Sequence, residues 1–360
     1  MHSLRTKYLQ DLQFNGLQAS TLQKIGEYKG KQELFFQQTP ETLDLLVKAA
    51  IIESSESSNR LEGIVAAEGR VKALVLKSSA PQNRSEQEIA GYRDALALIH
   101  ESWEYMDFSV NVILQLHSMV YRYLPNEGGR WKMTDNEIIE TNADGSKRVR
   151  FKAVKAFCTP QAMSDLTTEF KAASQDPHVE PLVAIPLAIL DFLCIHPFTD
   201  GNGRMARLLT LLLLYRAGYR VGRYISLERI FEKSKETYYE TLEKSSQRWH
   251  DGKHDPHPWT NYFWGTLLAA YHEFEERVGT IRTGRGSKTD QIRQAVNRRM
   301  GLFAISDIEG DCPGISRDMI RNVLRQLRDE KFILRQGSGR GAKWLVSREE
   351  PRKNTNGAKK

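Results

Sequence analysis

Twelve residues between two apolar stretches gather the reactive side chains of this chain: His196-Pro197-Phe198-Thr199-Asp200-Gly201-Asn202-Gly203-Arg204-Met205-Ala206-Arg207. Gly201 and Gly203 permit positive φ, which turns successive backbone N–H groups into a concave nest. A nest at the start of a helix favours anions, because the first N–H groups lack partners and the helix dipole adds positive charge. Arg204 and Arg207 lie three apart, on one helix face beside the nest, and guanidinium groups grip phosphate oxygens in a fork. Asp200 offers an oxygen ligand for Mg2+, which bridges a carboxylate and substrate phosphates. His196 titrates near neutrality and can deprotonate an incoming hydroxyl. These parts together describe a site that cuts a nucleotide between its phosphates.

Two elements must position them. Leu187 to Ile195 before the stretch and Leu208 to Tyr215 after it are almost wholly apolar, so the expectation is a buried helix, a short polar loop and a second buried helix starting near Gly203. Unpaired charges beside such helices are costly.

The motif resembles the His-Pro-Phe-x-Asp-Gly-Asn-Gly-Arg-x-x-Arg pattern of the Fic family at every position. The resemblance implies a mainly α fold, a Fic helical core with a β-hairpin flap. It also implies transfer of AMP from ATP to a hydroxyl side chain of a protein target or of the chain itself, with Mg2+. Residue by residue it implies His196 as general base, Asp200 as metal ligand and Phe198 as the buried anchor of the loop. Gly201, Asn202, Gly203 and Arg204 would hold the α- and β-phosphates, and Arg207 the γ-phosphate.

Upstream, a helix is expected from Pro40, with Thr39 or Thr42 as cap and an apolar face of Leu43, Leu45, Leu46, Ala49 and Ala50, running on to a stop at Gly63. Its end, Ser58-Asn59-Arg60-Leu61-Glu62-Gly63, resembles the inhibitory motif of many Fic proteins. The implication is autoinhibition: Glu62 would take the place of the γ-phosphate on Arg207. A helix-ending glycine after an exposed glutamate is the plainer alternative.

Glu137 to Thr141 and Arg148 to Val154 favour strand around Asn142-Ala143-Asp144-Gly145, a hairpin signal. In the family this flap lines the target groove. Tyr238 and Tyr239 resemble the family's adenine pocket, with core packing as the alternative. Ser246 stands near the place where some relatives carry asparagine, which leaves the base open. His117 reads as a packed helix residue. His250, His254 and His257 read as a polar loop rather than a zinc site, since Pro256 and Pro258 forbid regular helix there. Residues 8–38, broken by Gly16, Gly26 and Gly30, read as short helices.

The 360 residues suggest several domains: 1–110, a helical region with the inhibitory motif; 111–279, the catalytic core; 280–288, a linker; 289–347, three helices and a ribbon resembling a winged helix; and 348–360, a basic tail. Net charge is +7 and pI about 9.1, with much of the excess after Val278. Ser316 would cap a recognition helix presenting Arg317, Arg321, Arg325 and Arg328, with Arg340 on the wing. DNA is therefore a candidate partner, and protein docking the alternative. A homodimer is a further expectation. No apolar run approaches the ~20 residues that span a bilayer, and three widely spaced cysteines suit a reducing cytoplasm. Three other functions stay open: removal of AMP at the same site, transfer of another nucleotide group, and DNA-binding regulation by a chain whose Fic domain only senses nucleotide.

Overall fold

Helices carry most of the chain, as the spacing of its apolar residues requires. The computed structural model describes residues 3–38, 40–67, 69–76, 79–125, 128–141, 146–278, 286–297, 299, 302–312, 314–337 and 342–346. Two compact units divide at Gly279/Thr280. In the first, α1 (Thr6–Asp11), α2 (Gly16–Gln38), α3 (Pro40–Leu61), α4 (Arg70–Val75), α5 (Arg84–Ser102) and α6 (Val110–Val120) precede a hairpin of β1 (Glu137–Thr141) and β2 (Lys147–Lys152). Then come α7 (Thr159–Gln175), α8 (Pro181–Ile195), α9 (Asn202–Arg216), α10 (Leu227–Lys233), α11 (Lys235–Ser246) and α12 (His257–Val278). Residues 1–110 fall in one unit with residues 111–279, with α3 packed on α5 and α10.

The centre of this unit is the pair α8 and α9, nearly every side chain of which is buried. Helices apolar on all sides belong inside a protein. Pro186 lies within α8 and has no N–H for the carbonyl of Leu182. The indole of Trp264 on α12 replaces it, donating to Leu182 O at 2.7 Å, and Trp259 donates to Pro186 O at 2.8 Å. The helix thus tolerates proline because a neighbour satisfies the orphaned acceptor.

Residues 16–38 form one helix, not the short pieces expected. Gly26 and Gly30 lie inside it, and packing of α2 on α12 outweighs their low helix propensity. The α3 helix runs from Pro40 as the spacing predicts, while Thr39 lies outside the described residues. The hairpin pairs Glu137 with Lys152 and Thr141 with Lys147, with an irregularity between Ile138 and Ile139. Its turn, 142–145, lies outside the described residues.

The second unit holds α13 (Gly286–Asn297), α14 (Ile305–Asp311), α15 (Arg317–Asp329) and a ribbon of β3 (Ile333–Gln336) and β4 (Lys343–Val346). Its core gathers Ile292, Phe303, Ile308, Ile320, Leu324, Leu327 and Trp344. Helix α13 starts inside the stretch read as linker. Arg340 and the basic tail lie outside the described residues. Among the described residues no helix is long and apolar enough to cross a membrane.

Candidate active site

Helix α8 ends where His196 turns left-handed, at φ 52° and ψ 61°, with its N–H on Phe192 O at 2.9 Å. The ring's Nδ1 lies 3.3 Å from Leu193 O. That contact assigns the proton to Nδ1 and leaves Nε2 as an acceptor. Burial, aided by the ammonium of Lys132, pushes the imidazole pKa down to about 4. The ring is neutral at pH 7, the state a base requires.

The loop beyond it is braced from within. Phe198 is fully buried and stacks on His117, centroids 3.6 Å apart. The side chain of Asn202 accepts from Phe198 N at 2.9 Å and donates to Phe198 O at 2.8 Å. Gly201 caps α9 at φ 81°, a conformation that favours glycine. Its N–H is held by Asp200 Oδ1 at 2.6 Å. Burial alone would raise the Asp200 pKa, but hydrogen bonding from Tyr121, the charge of Arg204 and the Gly201 N–H together hold it below the usual carboxylate range. The first-turn N–H groups of Asn202, Gly203 and Arg204 have no acceptor within the helix, the general condition of helix starts.

Gly203 is helical, without the positive φ expected of it, and owes its identity to space. A methyl group added there would collide with the carboxylate of Glu62. Arg207, 2% exposed, donates through Nε to Ser58 Oγ and through Nη2 to Ser58 O and Glu62 Oε1, each at 2.8 Å. Burial opposes its charge, and the Glu62 carboxylate together with the nearby Tyr238, Tyr92 and Tyr239 more than offsets that, so its pKa is raised. Glu62 is placed by the end of α3. Gly63, at φ 76°, lets Ile64 N reach Asn59 O and Gly63 N reach Arg60 O, the two bonds that close a helix in a left-handed turn.

Arg204 is bound elsewhere than the expectation placed it. It is 1% exposed, with Nη1 on Glu88 at 2.7 Å and Nη2 on Tyr121 Oη at 2.9 Å. Its guanidinium ties α9 to α5 and α6. Asn202 likewise has its side chain on Phe198, so both residues offer a ligand their backbone.

Residues 107–214 match the family model described as Fic/DOC. That stretch resembles a Fic domain over just under a third of the chain. It is 29% identical over 141 residues to "Protein adenylyltransferase Fic" of Nematostella vectensis, covering 37% of this chain and 29% of that protein. With the Drosophila ananassae protein of the same name it shares 28% over 196 residues, 53% of this chain and 34% of the relative. The chain thus spans about a third of the length of these curated relatives. A Fic family protein from Desulfovibrio desulfuricans G20 has the same fold, with TM-score 0.62 and 21% identity over 95% of this chain and 99% of that one. Caenorhabditis elegans Fic-1 aligns with TM-score 0.55 and 20% identity, over 72% of each chain.

The Fic motif opens onto a cavity of about 190 Å3 lined by His196, Gly203, Arg207 and Glu62. Tyr238 and Tyr239 share its wall with Phe151 and Ser246. Tyr238 is buried in an aromatic cluster with Phe231, Trp259 and Tyr262, whereas Tyr239 is half-buried and donates to Leu61 O at 3.3 Å. The hairpin closes one side: Arg148 pairs with Glu243 of α11 at 2.8 Å, and Arg150 donates to Tyr239 O at 2.5 Å.

Among the described residues no group of three acidic, histidine or cysteine side chains is arranged to hold a metal. Asp200, 64% exposed and ionised, fits a Mg2+ ion that arrives with phosphates, since one carboxylate is enough there. His250 meets Lys152 O, His254 meets Ser3 and Tyr8, and His257 meets Gln18.

Two residues beside the motif escaped the sequence reading, Tyr121 and Glu88, which hold Arg204. His117 is packed within its helix as expected, and it also bonds Asp200 O at 3.1 Å and accepts from Gly129 N at 2.8 Å. The buried Glu88, on an otherwise apolar helix face, was the available signal. In the second unit, Ser316 caps α15, and the exposed Arg317, Arg321 and Arg328 pair with Glu309, Asp318 and Asp329.

Proposed function

We propose that the protein transfers AMP from ATP to a hydroxyl side chain of a protein, itself included, and that Glu62 holds the resting enzyme off. The target oxygen bonds to the α-phosphorus, the α–β bridging bond breaks, and pyrophosphate leaves. His196 Nε2 takes the hydroxyl proton. First-turn N–H groups of α9 and the open surface of Gly203 cradle the phosphates, and Arg207 holds the terminal one. Asp200 would hold Mg2+, which neutralises phosphate charge when bound. Tyr238 and Tyr239 wall the base. Positioning and electrostatics supply most of such catalysis.

The observation that carries this reading is the carboxylate of Glu62, seated over Gly203 and bonded to Arg207. Carboxylate and phosphate satisfy the same guanidinium donors. The test is transfer from ATP labelled at the α-phosphate, in Mg2+. Weak self-labelling is expected for wild type, strong labelling for Glu62→Gly, and none for Glu62→Gly with His196→Ala. A folded Glu62→Gly that binds ATP yet labels neither itself nor any lysate protein would overturn it. Free cysteines at 158, 194 and 312 accord with a reducing cytoplasm as its place.

For the second unit, we infer a winged helix whose α15 meets an anionic partner such as DNA. Its support is the exposure of Arg317, Arg321, Arg325 and Arg328 opposite the buried Ile320, Val323, Leu324 and Leu327. Internal pairing with carboxylates predicts modest affinity. Duplex binding that survives Arg321→Glu with Arg325→Glu would exclude this face.

A further inference from the structure

Lys132 is a buried lysine close to His196 that does not line the cavity. It is 3% exposed, and burial lowers its pKa to about 8. Its Nζ donates to Ile195 O at 3.0 Å and to Asn136 Oδ1 at 2.7 Å, and its own N–H donates to Pro197 O at 2.9 Å. Asn136 Nδ2 donates in turn to Phe198 O at 3.1 Å. The segment 132–136 therefore takes the main-chain carbonyls on both sides of His196. Between those carbonyls sits the one residue of the motif loop, other than glycine, with positive φ. A left-handed histidine persists only where its surroundings impose it. The usual agent at a helix end is glycine, and here the helix ends on a histidine instead.

We propose that Lys132, seconded by Asn136, is a positioning residue that imposes the left-handed backbone of His196 and so presents the imidazole to the cavity. The proposal rests on the reading of His196 as the base. Lys132 acts by two routes. Its hydrogen bond to Ile195 O anchors the last carbonyl of α8 and thereby the direction in which the chain leaves the helix. Its positive charge disfavours a second cation nearby, which keeps Nε2 free to accept a proton. The other charged groups that face the ring are Glu62 from the end of α3 and Asp200 from the loop, and both act in the opposite sense. Asp135 faces Lys132 and favours its charge. Lys132 touches neither nucleotide nor target in this account.

The test uses the full chain with Glu62→Gly, comparing Lys132 intact, Lys132→Met, Lys132→Arg and Asn136→Ala. Two readouts are taken. One is the His196 titration by NMR, assigned with His196→Gln, which needs no turnover. The other is kcat against KM for ATP. Lys132→Met is expected to lower kcat by about tenfold or more with KM for ATP little changed, the pattern of a displaced base. It should also raise the His196 midpoint. Lys132→Arg should keep the midpoint low and recover part of kcat. Asn136→Ala, which leaves the charge in place, should lower kcat without moving the midpoint, and it serves should Lys132→Met not fold. Unchanged kcat and midpoint in folded Lys132→Met, or unchanged kcat in Asn136→Ala, would overturn the proposal. If the parent with Glu62→Gly transfers no AMP at all, the functional reading fails instead, and the NMR midpoint alone still decides whether Lys132 governs His196.

Discussion

Glu62 Oε1 lies 2.8 Å from Arg207 Nη2, across 145 positions of sequence. The same guanidinium takes both the hydroxyl and the carbonyl of Ser58, so a single helix end supplies all three of these oxygens. Arg207 is almost inaccessible while Glu62 keeps about a third of its surface in water. The pair can therefore open from the Glu62 side without unpacking α9.

Gly63 sets the reach of Glu62. Alanine at φ 76° costs about 1 kcal/mol and weakens the left-handed turn that closes α3. Gly63→Ala should lower unfolding free energy by about that amount in urea. Its self-labelling should rise above wild type but stay below Glu62→Gly. Labelling equal to wild type, with the stability loss present, would show that the turn does not aim the carboxylate.

On the functional reading, Gly203 serves two occupants of one place. A methyl group there excludes the Glu62 carboxylate and, on the functional reading, a phosphate as well. Gly203→Ala should therefore abolish ATP binding even when combined with Glu62→Gly, by calorimetry, while Glu62→Gly alone binds. Tight binding by the double variant would mean that the phosphates lie elsewhere.

Acid should destabilise the fold before it reaches ordinary carboxylate values. Burial is the main cause that pushes His100 down to about 3, and His117 and His196 to about 4. The unfolded chain takes up these protons below about pH 6.5, whereas the folded one refuses them until about 4. Stability is thus complete above 6.5 and declines as pH falls through that window. Asp191 acts against this: burial raises its pKa to about 6, so between about 3.9 and 6 it favours the folded state as pH falls. Three histidines outweigh one carboxyl, and the net slope should be positive. Thermal midpoints from pH 7 to 4 would check it, and His117→Gln should flatten the curve.

Trp264 and Pro186 should be energetically coupled. Trp264→Phe leaves Leu182 O without its donor, a loss of about 1 kcal/mol beyond the change in packing. In Pro186→Ala the helix regains an N–H for that oxygen, so the same substitution should cost about 1 kcal/mol less there. A double-mutant cycle in urea reads the difference directly. An identical cost in both backgrounds would mean that the indole contributes packing alone.

Much of the site was legible because its residues are consecutive. His196 ending one buried helix and Gly201 at the head of the next follow from the order of residue types, whereas Glu62 facing Arg207 was implied only by the resemblance of its motif. What could not be read was which side chain a distant element had already engaged. Nothing in Gly-Asn-Gly-Arg tells that Glu88 and Tyr121 hold Arg204, or that Asn202 folds back on Phe198. Gly203 looked like a conformational glycine, and its reason was a neighbour from α3. The helix α2 was obscured for a related cause. Gly26 and Gly30 weaken a helix in isolation, but packing on α12 overrides local preference.

Glu62 and Arg207 lie in one compact unit of one chain. A blocking group attached in this way is present at an effective concentration set by the fold, so dilution cannot remove it. On the functional reading, nucleotide meets only the fraction of molecules in which the carboxylate has swung away, and its apparent affinity is reduced by that fraction. An activating partner would then tighten ATP binding without touching ATP, simply by enlarging the open population.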